Sequence, residues 1–501
     1  MSAIVRRSKV LVIGSGGNAM SVAIKVREAG IGDVWMISKH SDFGGVWHQN
    51  TYPGCGVDGP VTLYQLSYYP SGDWSRLFAT QPELLAYFQE VARHYGLYDV
   101  IDFDTEMTRS RWIEEDQEWE VETDRGVYRT QHLVLATGFL DEPNVPDIPG
   151  LSDFKGNVFH SSSWPEGYVG EDHRVAVIGT GSSALQIVAS LQRTAAALTV
   201  FQRTPTWILP KDDRPLTDEE RTLYRGDVEA VRVLREEALL AGDQHFADVF
   251  RGDRPDAAAE VQAGALAYLH DRVSDPALRE KLTPSHRYAC KRPGASDDYY
   301  DALSQPNVEL IAEAAAHIDA TGITSVGGTR VEVDTLVLAT GFFWGTHILG
   351  RIHRRDGLTV REAQQGHPRA YRSISVSGAP NLYLVGGAAP NGRYFLGLVP
   401  GERAGIYVSE AVKYMDKAGV RALEVLEEAQ DAWKARADEA LAKGPAVSGD
   451  CVSYILDETG HNSADWPGGW HELEEQLTNF DPTPYVVPTV PNAEPTTVAA
   501  R

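Results

Sequence analysis

Two stretches of the chain place a short apolar run, an amphipathic segment and a second apolar run in succession. In the first, VLVIG (residues 10–14) precedes a segment with Val and Ala on one helical face, and VWMIS (34–38) follows it. In the second, VAVIG (175–179) precedes TGSSALQIVASL, and LTVFQR (198–203) follows it. Because no hairpin signal separates strand from helix, both stretches predict βαβ units with parallel strands. The predicted fold class is therefore α/β.

Each of these units is followed by a nearly identical segment. HLVLATGF (132–139) and DTLVLATGF (334–342) both have the pattern of a buried strand that ends in a turn of small residues. Residues 214–286 differ in kind, because they are rich in Ala, Glu, Arg and Leu and carry helix-start signals at Thr217–Glu220 and at Ser274–Pro276. They are predicted to form a helical insertion.

The order of these segments predicts two discontinuous domains, one around each βαβ unit. The C-terminal end is rich in Pro, Thr and Ala, a composition typical of disorder. The predicted boundaries are 1–148 (first domain, first part), 149–213 (second domain, first part), 214–286 (helical insertion), 287–344 (second domain, second part), 345–485 (first domain, second part) and 486–501 (disordered tail).

The charge balance limits the partners of the protein. Its 46 Lys and Arg against 70 Asp and Glu give a formal charge of −24. Neutralising phosphates requires basic surface, so neither nucleic acid nor an anionic membrane is expected as a partner. No apolar run reaches the roughly 18 residues of a membrane-spanning helix, and the N-terminus lacks the apolar region of a signal peptide. A cytoplasmic enzyme with a small-molecule substrate is the expectation.

The cysteines exclude further classes. Cys55, Cys290 and Cys451 are far apart in sequence and form no CxxC pair. This pattern argues against a disulfide framework and against a dithiol reductase of the CxxC type. The chain also shows no Cys/His spacing typical of a zinc site, so no metal is expected.

Both predicted strand–helix turns carry the glycine pattern of a dinucleotide-binding, Rossmann-like unit. The first has Gly14, Gly16 and Ala19, and the second has Gly179 and Gly181 followed by Ala184. Glycine lets the backbone approach a pyrophosphate at the N-terminus of a helix. The match is informative because each motif stands between a strand and a helix.

The residue at the end of the second strand of each unit indicates which nucleotide binds. Ser38 lies 24 positions after Gly14, and Arg203 lies 24 positions after Gly179. Arg203, with Thr204 beside it, suits a 2′-phosphate, so the second unit is predicted to bind NADPH. Ser38 is a weaker ribose partner than a carboxylate, and this residue alone does not establish FAD in the first unit.

One segment identifies a family resemblance. FKGNVFHSSSWP (154–165) matches the FxGxxxHxxxWP fingerprint of class B, Baeyer–Villiger-type flavin monooxygenases. The segments GGVWHQNTYPGCGVD (44–58), FQRTPTW (201–207), ACKRPGASDDYY (289–300) and WPGGW (466–470) also resemble that family. The resemblance runs from about residue 8 to residue 485.

The resemblance implies two Rossmann-like domains, for FAD and for NADPH, and a role for each matching residue. Reduced flavin in this family adds O₂ at its C4a atom, and a fixed guanidinium stabilises the resulting (hydro)peroxide. Arg292 is implied as that guanidinium, and Asp58 as the carboxylate that orients it. The other implied residues are Gly14, Gly16, Ala19, Ser38, Gly44, Gly45, Trp47 and Asp58 for FAD, Gly179, Gly181, Ser182, Ser183, Arg203, Thr204 and Lys291 for NADPH, and His160 and Trp164 for the hinge between the domains.

Three arginines depart from the pattern of a ketone-oxidising enzyme. Arg393 and Arg403 lie in a stretch where uncharged residues are usual, and Arg287 precedes Lys291 and Arg292 closely. Arginines that converge on a pocket indicate a carboxylate substrate. These residues predict N-hydroxylation of a small carboxylate-bearing amine such as L-aspartate, towards nitrosuccinate, as in the aspartate N-hydroxylases of secondary metabolism. The alternatives are Baeyer–Villiger oxidation of a ketone to an ester or lactone and, in another class, an NADPH oxidase or redox sensor without organic substrate.

Overall fold

The computed structural model of the protein describes residues 4–394, 397–449 and 451–488. Most of the predicted disordered tail, residues 489–501, lies outside the described residues. The strands form two main sheets, and helices pack against both. The predicted α/β fold with two Rossmann-like units is confirmed.

The first sheet is built around the first βαβ unit. Its central strand pairs in parallel with the strand after the first helix and with the strand of the first ATGF segment. All-apolar strands form here because both faces of the sheet are covered, and Val10, Leu11 and Val12 are completely buried. The strand order is Ile352–His353, Met107–Ile113, Glu118–Thr123, Gly126–Leu135, Ile4–Ile13, Val34–Ile37 and Ile101–Asp102, with Leu382–Leu384 also paired to Gly126–Leu135.

The second sheet has five strands, all parallel, around the second βαβ unit. The strand of the second ATGF segment lies beside the first strand of this unit, as its counterpart does in the first sheet. The strand order is Val308–Ile311, Ala197–Phe201, Arg174–Ile178, Thr335–Leu338 and Asn157–His160.

Several smaller sheets lie beside the two main sheets. Glu142–Pro143 pairs with Phe342–Phe343, so the chain segments that follow the two ATGF turns meet in an antiparallel pair. The remaining strands are Ala315–Asp319, Gly322–Ser325 and Arg330–Glu332 in one sheet, Ile208–Leu209 with Gly294–Ala295, and Glu424–Val425 with Tyr485–Val486.

The helices fall into those of the two units and those that cover them. The α-helices are Gly17–Glu28, Val46–Gln49, Gln81–His94, Ser182–Leu191, Asp218–Gly226, Val228–His245, Ala257–Arg272, Pro276–Leu282, Tyr299–Leu303, Val360–Gln364, Val399–Ala418, Glu427–Leu441, Pro445–Ser448 and Trp470–Thr478. A π-helix spans Phe246–Arg251, and 3₁₀ helices span Leu97–Val100, Leu151–Asp153, Ser161–Ser163, Gly345–Arg351 and Gly386–Ala388. Among the described helices, none is both long and apolar enough to cross a membrane.

Four α-helices and the π-helix lie within the predicted helical insertion, residues 214–286. The helix Asp218–Gly226 begins with the capping box between Thr217 and Glu220. Arg235 joins the insertion to the first domain, because its guanidinium lies 3.0 Å from the carboxylate of Glu402 and both side chains are buried. A charge pair of this kind is costly to break, since one partner alone would be a buried, unpaired charge.

The structure joins two of the three cysteines, which the sequence analysis did not anticipate. Cys290 and Cys451 form a disulfide across 161 residues, with their Cα atoms 6.3 Å apart. Cys55 remains a free, buried thiol. A single bridge is consistent with the exclusion of a disulfide framework, but the fold alone brings this pair together.

Candidate active site

A cleft with a volume of about 1190 Å³ lies between the two sheets. Both glycine turns line it, as do both ATGF turns and the segment that carries Lys291 and Arg292. Ligand sites in open α/β sheets lie at the carboxyl ends of the strands, and both units present that end to the cleft. Its volume exceeds the roughly 300–1,000 Å³ typical of a pocket for one small ligand.

The first glycine turn brings two backbones together. Gly14 has a φ of +127°, and a Cβ there would lie 2.5 Å from the carbonyl oxygen of Ala136. Ala136 belongs to the first ATGF turn, so this turn and the glycine motif form one unit. A Cβ on Gly45 would meet the Cα of Gly16 at 2.8 Å. Glycine is required at these positions because no side chain fits between the backbones.

The second glycine turn repeats this arrangement. Gly179 has a φ of +125°, and a Cβ there would lie 2.2 Å from the carbonyl oxygen of Ala339 in the second ATGF turn. The helices that follow the two turns begin at Gly17 and Ser182. In the described chain, neither helix has a side-chain cap or an acidic residue in its first turn. Both N-termini therefore offer free N–H groups and a positive dipole to an anion.

The two units carry different polar groups at the ends of their second strands. Ser38 is buried, and its hydroxyl lies 2.8 Å from that of Ser15 and accepts a hydrogen bond from the backbone N–H of His40. In the second unit, Arg203 is exposed at the cleft, near Lys291. Burial, and then the charge of Arg203, lower the pKa of Lys291. Within the described residues neither cation has a carboxylate partner, so this pair suits an anionic ligand group.

Arg292 and Asp58 face each other across the cleft lining. The guanidinium lies 3.6 Å from the Asp58 carboxylate, and 43% of the Arg292 side chain is exposed. Asp58 therefore holds the arginine by charge while leaving most of its donors free. Burial raises the pKa of nearby Tyr64 to about 12, against a lowering by Arg292, so its hydroxyl keeps its proton at neutral pH. The ring of Trp47 packs edge-on against Tyr64 at 5.5 Å.

The residues predicted for the hinge lie at and just after the end of an edge strand of the second sheet, and the ring of Trp164 lies 6.4 Å from that of Tyr52 in the first domain. His160 is buried, accepts a hydrogen bond at Nδ1 from the backbone N–H of Ser162, and places Nε2 2.9 Å from the carbonyl oxygen of Gly341. Burial lowers the pKa of His160, in accord with a neutral ring that donates from Nε2 to this carbonyl. Gly341 belongs to the second ATGF turn and lines the cleft. Trp164 is buried, and its indole N–H donates to the carbonyl of Tyr168.

The structure does not bring the three predicted substrate arginines together. Arg393 pairs with Asp465, and Arg403 lies 2.8 Å from the carboxylate of Glu474. Arg287 is exposed. The residues that line the cleft include none of the three. The prediction failed because the acidic partners lie more than 70 positions away along the chain, where sequence gives no indication of pairing.

Several residues line the cleft that the sequence analysis did not single out. Tyr64 and Leu63 come from the loop after Asp58, Ala238 and Gly242 from the helical insertion, and Leu398 from the start of a long helix. Only the ATGF repeat gave a sequence signal of this kind, because it marked Ala136 and Ala339 as ends of corresponding strands. The other side chains reach the cleft through tertiary folding.

A second group of titratable side chains lies outside the cleft lining. His367, Asp438 and His461 each offer a ligand atom within 4.8 Å of the others. His367 already pairs with Asp438 at 3.2 Å and with Asp457 at 2.9 Å, and the buried ammonium of Lys434 contacts Asp438. The ammonium of Lys434 already supplies positive charge beside Asp438.

Comparison with known proteins assigns the class. The pyridine nucleotide-disulphide oxidoreductase family model matches residues 64–217. A Baeyer–Villiger monooxygenase of Streptomyces coelicolor is 37% identical over 484 residues, which cover 96% of this chain and 92% of the relative. With the cleft and its two glycine turns, this relative defines an NADPH-dependent flavin monooxygenase.

Solved structures agree with that class. The closed crystal structure of cyclohexanone monooxygenase matches with a TM-score of 0.84 and 27% identity, covering 94% of this chain and 96% of that one. OTEMO in complex with FAD and NADP matches with a TM-score of 0.83 and 26% identity, covering 94% and 97%. The chain belongs to the family of Baeyer–Villiger-type flavin monooxygenases. The comparisons thus support the alternative prediction of a Baeyer–Villiger enzyme better than N-hydroxylation of aspartate.

Proposed function

We propose that the protein inserts one oxygen atom from O₂ into an uncharged ketone, giving an ester or a lactone, with FAD in the first unit and NADPH in the second. The proposed substrate class rests on the pairing of charged side chains around the cleft. The relative from Streptomyces coelicolor and the cyclohexanone monooxygenase structure support the same reaction class. Their family membership favours a monooxygenase over an NADPH oxidase without organic substrate.

The first unit is suited to FAD. The Gly14 and Gly16 turn leaves space for a pyrophosphate at the helix N-terminus, and Gly44 and Gly45 bring a second backbone segment beside it. Ser38, held by Ser15, offers a hydroxyl at the strand end where a ribose is bound in such units. When bound, FAD supplies the hydride acceptor and the oxygen activation.

The second unit is suited to NADPH. Gly179, Gly181, Ser182 and Ser183 form the turn and first helical residues at the pyrophosphate position, and all line the cleft. Arg203 and Lys291 give two positive charges at the strand end, with Thr204 as a further donor. A 2′-phosphate carries the negative charge that distinguishes NADPH from NADH, so these cations favour NADPH.

The charges of the cleft argue for a neutral substrate. Among the described lining residues, Lys39 pairs with Asp141, Arg351 with Glu106 and Arg292 with Asp58. Arg203 and Lys291 are the other lysine or arginine side chains of this lining, and we assign them to NADPH. Because Arg292 is assigned to the reaction itself, the described lining leaves no further lysine or arginine for a substrate carboxylate. Tyr64, which lies near Arg292, and the cleft-lining side chains of Leu63, Ala238 and Leu398 give the cleft apolar surface, which suits a ketone.

Arg292 carries the electrostatic part of the reaction. Its guanidinium stays charged at any working pH and stabilises negative charge that develops on oxygen without giving up a proton. Asp58 keeps it in position from one side. The neutral hydroxyl of Tyr64 adds a donor rather than a negative charge close to this centre. The hydrogen bond between His160 and the carbonyl of Gly341 holds the second ATGF turn, which lines the cleft, to the end of the neighbouring strand.

The experiment is product analysis by mass spectrometry with NADPH, ¹⁸O₂ and a ketone panel of cyclohexanone, acetophenone and 2-decanone, with L-aspartate as comparison. We expect an ester or lactone that carries one ¹⁸O atom from at least one ketone, while aspartate is recovered unchanged. An N-oxygenated acid from aspartate, with all ketones inert, would overturn the proposal.

Two variants test the role of Arg292. Arg292→Ala is expected to retain FAD and to lose product formation by a factor of roughly 10²–10³, the usual effect of removing one group that stabilises a developing oxyanion. Arg287→Ala is the matched control, because this exposed arginine lies five positions earlier and does not line the cleft. Normal ester yield in Arg292→Ala would refute the assigned role.

A further inference from the structure

The Cys290–Cys451 disulfide joins two segments that border the cleft from different parts of the chain. Cys290 directly precedes Lys291 and Arg292, which line the cleft. Cys451 directly precedes Val452, Ser453 and Tyr454, which also line it. The disulfide itself does not belong to the lining. It therefore lies directly behind two segments of the active site without being part of its surface.

The Cys290 side is an irregular segment between two fixed points. Tyr288 is buried in a small apolar cluster, and the backbone N–H of Gly294 donates to the carbonyl of Trp207 at 2.8 Å. Between these points the chain turns at Ala289, which has a φ of +62°, and Lys291 and Arg292 belong to no helix or strand. The completely buried sulfur of Cys290 is the covalent anchor inside this span.

The segment that carries Cys451 is more exposed than the segment that carries Cys290. Val452 is 89% exposed and Tyr454 is 48% exposed, whereas Ser453 between them is buried and the Tyr454 hydroxyl accepts a hydrogen bond from Arg393 at 3.4 Å. A Cβ on Gly449 would lie 2.9 Å from the sulfur of Cys290, so the chain passes close against the bridge. The Gly449 N–H donates to the carbonyl of Pro445 at 2.9 Å, which fixes the segment before the bridge. The disulfide anchors the segment that follows.

We propose that this disulfide is a redox-controlled positioning device for the oxygenation, an inference that rests on the proposed function of the site. The intact bridge holds the Arg292 segment and the Val452–Tyr454 wall together. Reduction leaves the cofactor turns untouched, because neither glycine motif contacts the bridge, but it frees both segments to move. Loss of this constraint admits water and misplaces the guanidinium, and both effects release hydrogen peroxide at the expense of product.

The switching step is a thiol–disulfide exchange. A dithiol reductant attacks one sulfur of the bridge and forms a mixed disulfide, and its second thiol then closes a ring and releases the second cysteine. The protein gains two thiols, and the reductant is oxidised to its cyclic disulfide. Disulfides are rare where thiol reductants are abundant, so the state of this bridge would report the redox condition around the enzyme.

The test compares the purified holoenzyme, the same enzyme treated with dithiothreitol and then desalted anaerobically, and Cys451→Ser. Cys451 is the residue to change because it is only half-buried, whereas Cys290 is completely buried. Three quantities are measured: the Cys290–Cys451 linked peptide by mass spectrometry after alkylation, the rate of hydrogen peroxide release per enzyme with NADPH and without any ketone, and the Km for NADPH.

We expect the linked peptide in the untreated enzyme, a rate of peroxide release at least three-fold higher after reduction, the same higher rate in Cys451→Ser, and a Km for NADPH within two-fold of the untreated enzyme. Dithiothreitol should change nothing further in Cys451→Ser. The proposal is overturned if both cysteines are alkylated in air-equilibrated enzyme or if all three preparations release peroxide at the same rate. The assay contains no ketone, so its result can be interpreted even if no ketone of the panel is converted.

Discussion

The two βαβ units have nearly the same backbone and different strand ends. In both, a glycine with positive φ packs against the carbonyl oxygen of an ATGF alanine, and a helix without a side-chain cap begins three residues later. In the first unit the strand leads to the buried hydroxyl pair of Ser38 and Ser15. In the second it leads to Arg203, beside Lys291. We propose that the shared backbone provides the phosphate cradle and that the strand end determines which nucleotide is preferred.

The corresponding ATGF strands also differ at one buried position. The first has His132 where the second has Thr335, and both residues are completely buried. The Thr335 hydroxyl lies 3.3 Å from the amide nitrogen of Asn157, and Nε2 of His132 has no hydrogen-bond partner among the described residues. From this comparison we expect the stability of the fold to be sensitive to acid at His132, in the first sheet.

The largest expected effect comes from removing the shared feature. Gly14→Ala and Gly179→Ala each place a Cβ at 2.5 Å or less from a carbonyl oxygen and at a φ near +125°. The backbone strain alone costs roughly 1–3 kcal/mol, and the clash adds to it. We expect Gly14→Ala to lose FAD and Gly179→Ala to raise the Km for NADPH by about 100-fold or more, measured from flavin absorbance and steady-state kinetics.

The control for these glycine variants is Gly32→Ala, because a Cβ there meets nothing within 4 Å. It should retain both cofactors. Normal flavin content in Gly14→Ala, or unchanged NADPH kinetics in Gly179→Ala, would contradict the view that the two turns act as separate cofactor sites.

A smaller effect is expected from the strand end that distinguishes the units. Arg203→Ala removes a charged donor whose hydrogen bond to a phosphate is worth about 1.5–3 kcal/mol. The Km for NADPH should rise roughly 10- to 150-fold, while that for NADH, which lacks the phosphate, stays the same. Arg193→Ala is the control, since its exposed side chain pairs with Asp298 at the surface. Equal changes with both cofactors would argue against a 2′-phosphate contact.

The smallest expected effect concerns stability rather than binding. Burial lowers the pKa of His132 to about 3, whereas the unfolded side chain titrates near 6.5. The unfolded state therefore binds this proton first, so the stabilisation is complete above pH 6.5 and is lost as the pH falls from 6.5 towards 3. At pH 5 the loss is about 2 kcal/mol. His132→Thr should lose that much less stability than the wild type between pH 7 and pH 5 in urea unfolding.

Changing the exposed His317 to Thr provides the control for this pH effect. It should leave the pH dependence of unfolding as it is in the wild type. If His132→Thr and the wild type lose equal stability on acidification, the acid-sensitive group lies elsewhere.

Much of the fold and the cofactor sites followed from local sequence. The βαβ units were predictable because buried strands, glycine turns and helices each leave a pattern within about 30 residues. The spacing from glycine motif to strand end separated Ser38 from Arg203 in the same way. The FxGxxxHxxxWP fingerprint contains His160 and Trp164. In the structure His160 bonds to the second ATGF turn of its own domain, and the ring of Trp164 lies near Tyr52 of the first domain.

Only the tertiary structure decided which distant residues face one another. Arg393 and Arg403 looked like substrate ligands until folding paired them with Asp465 and Glu474. The Cys290–Cys451 bridge likewise had no signal in a chain with three scattered cysteines. The physical reason is the same in each case. Backbone pattern depends on neighbours along the chain, whereas the charge available in a cleft depends on partners brought together by packing.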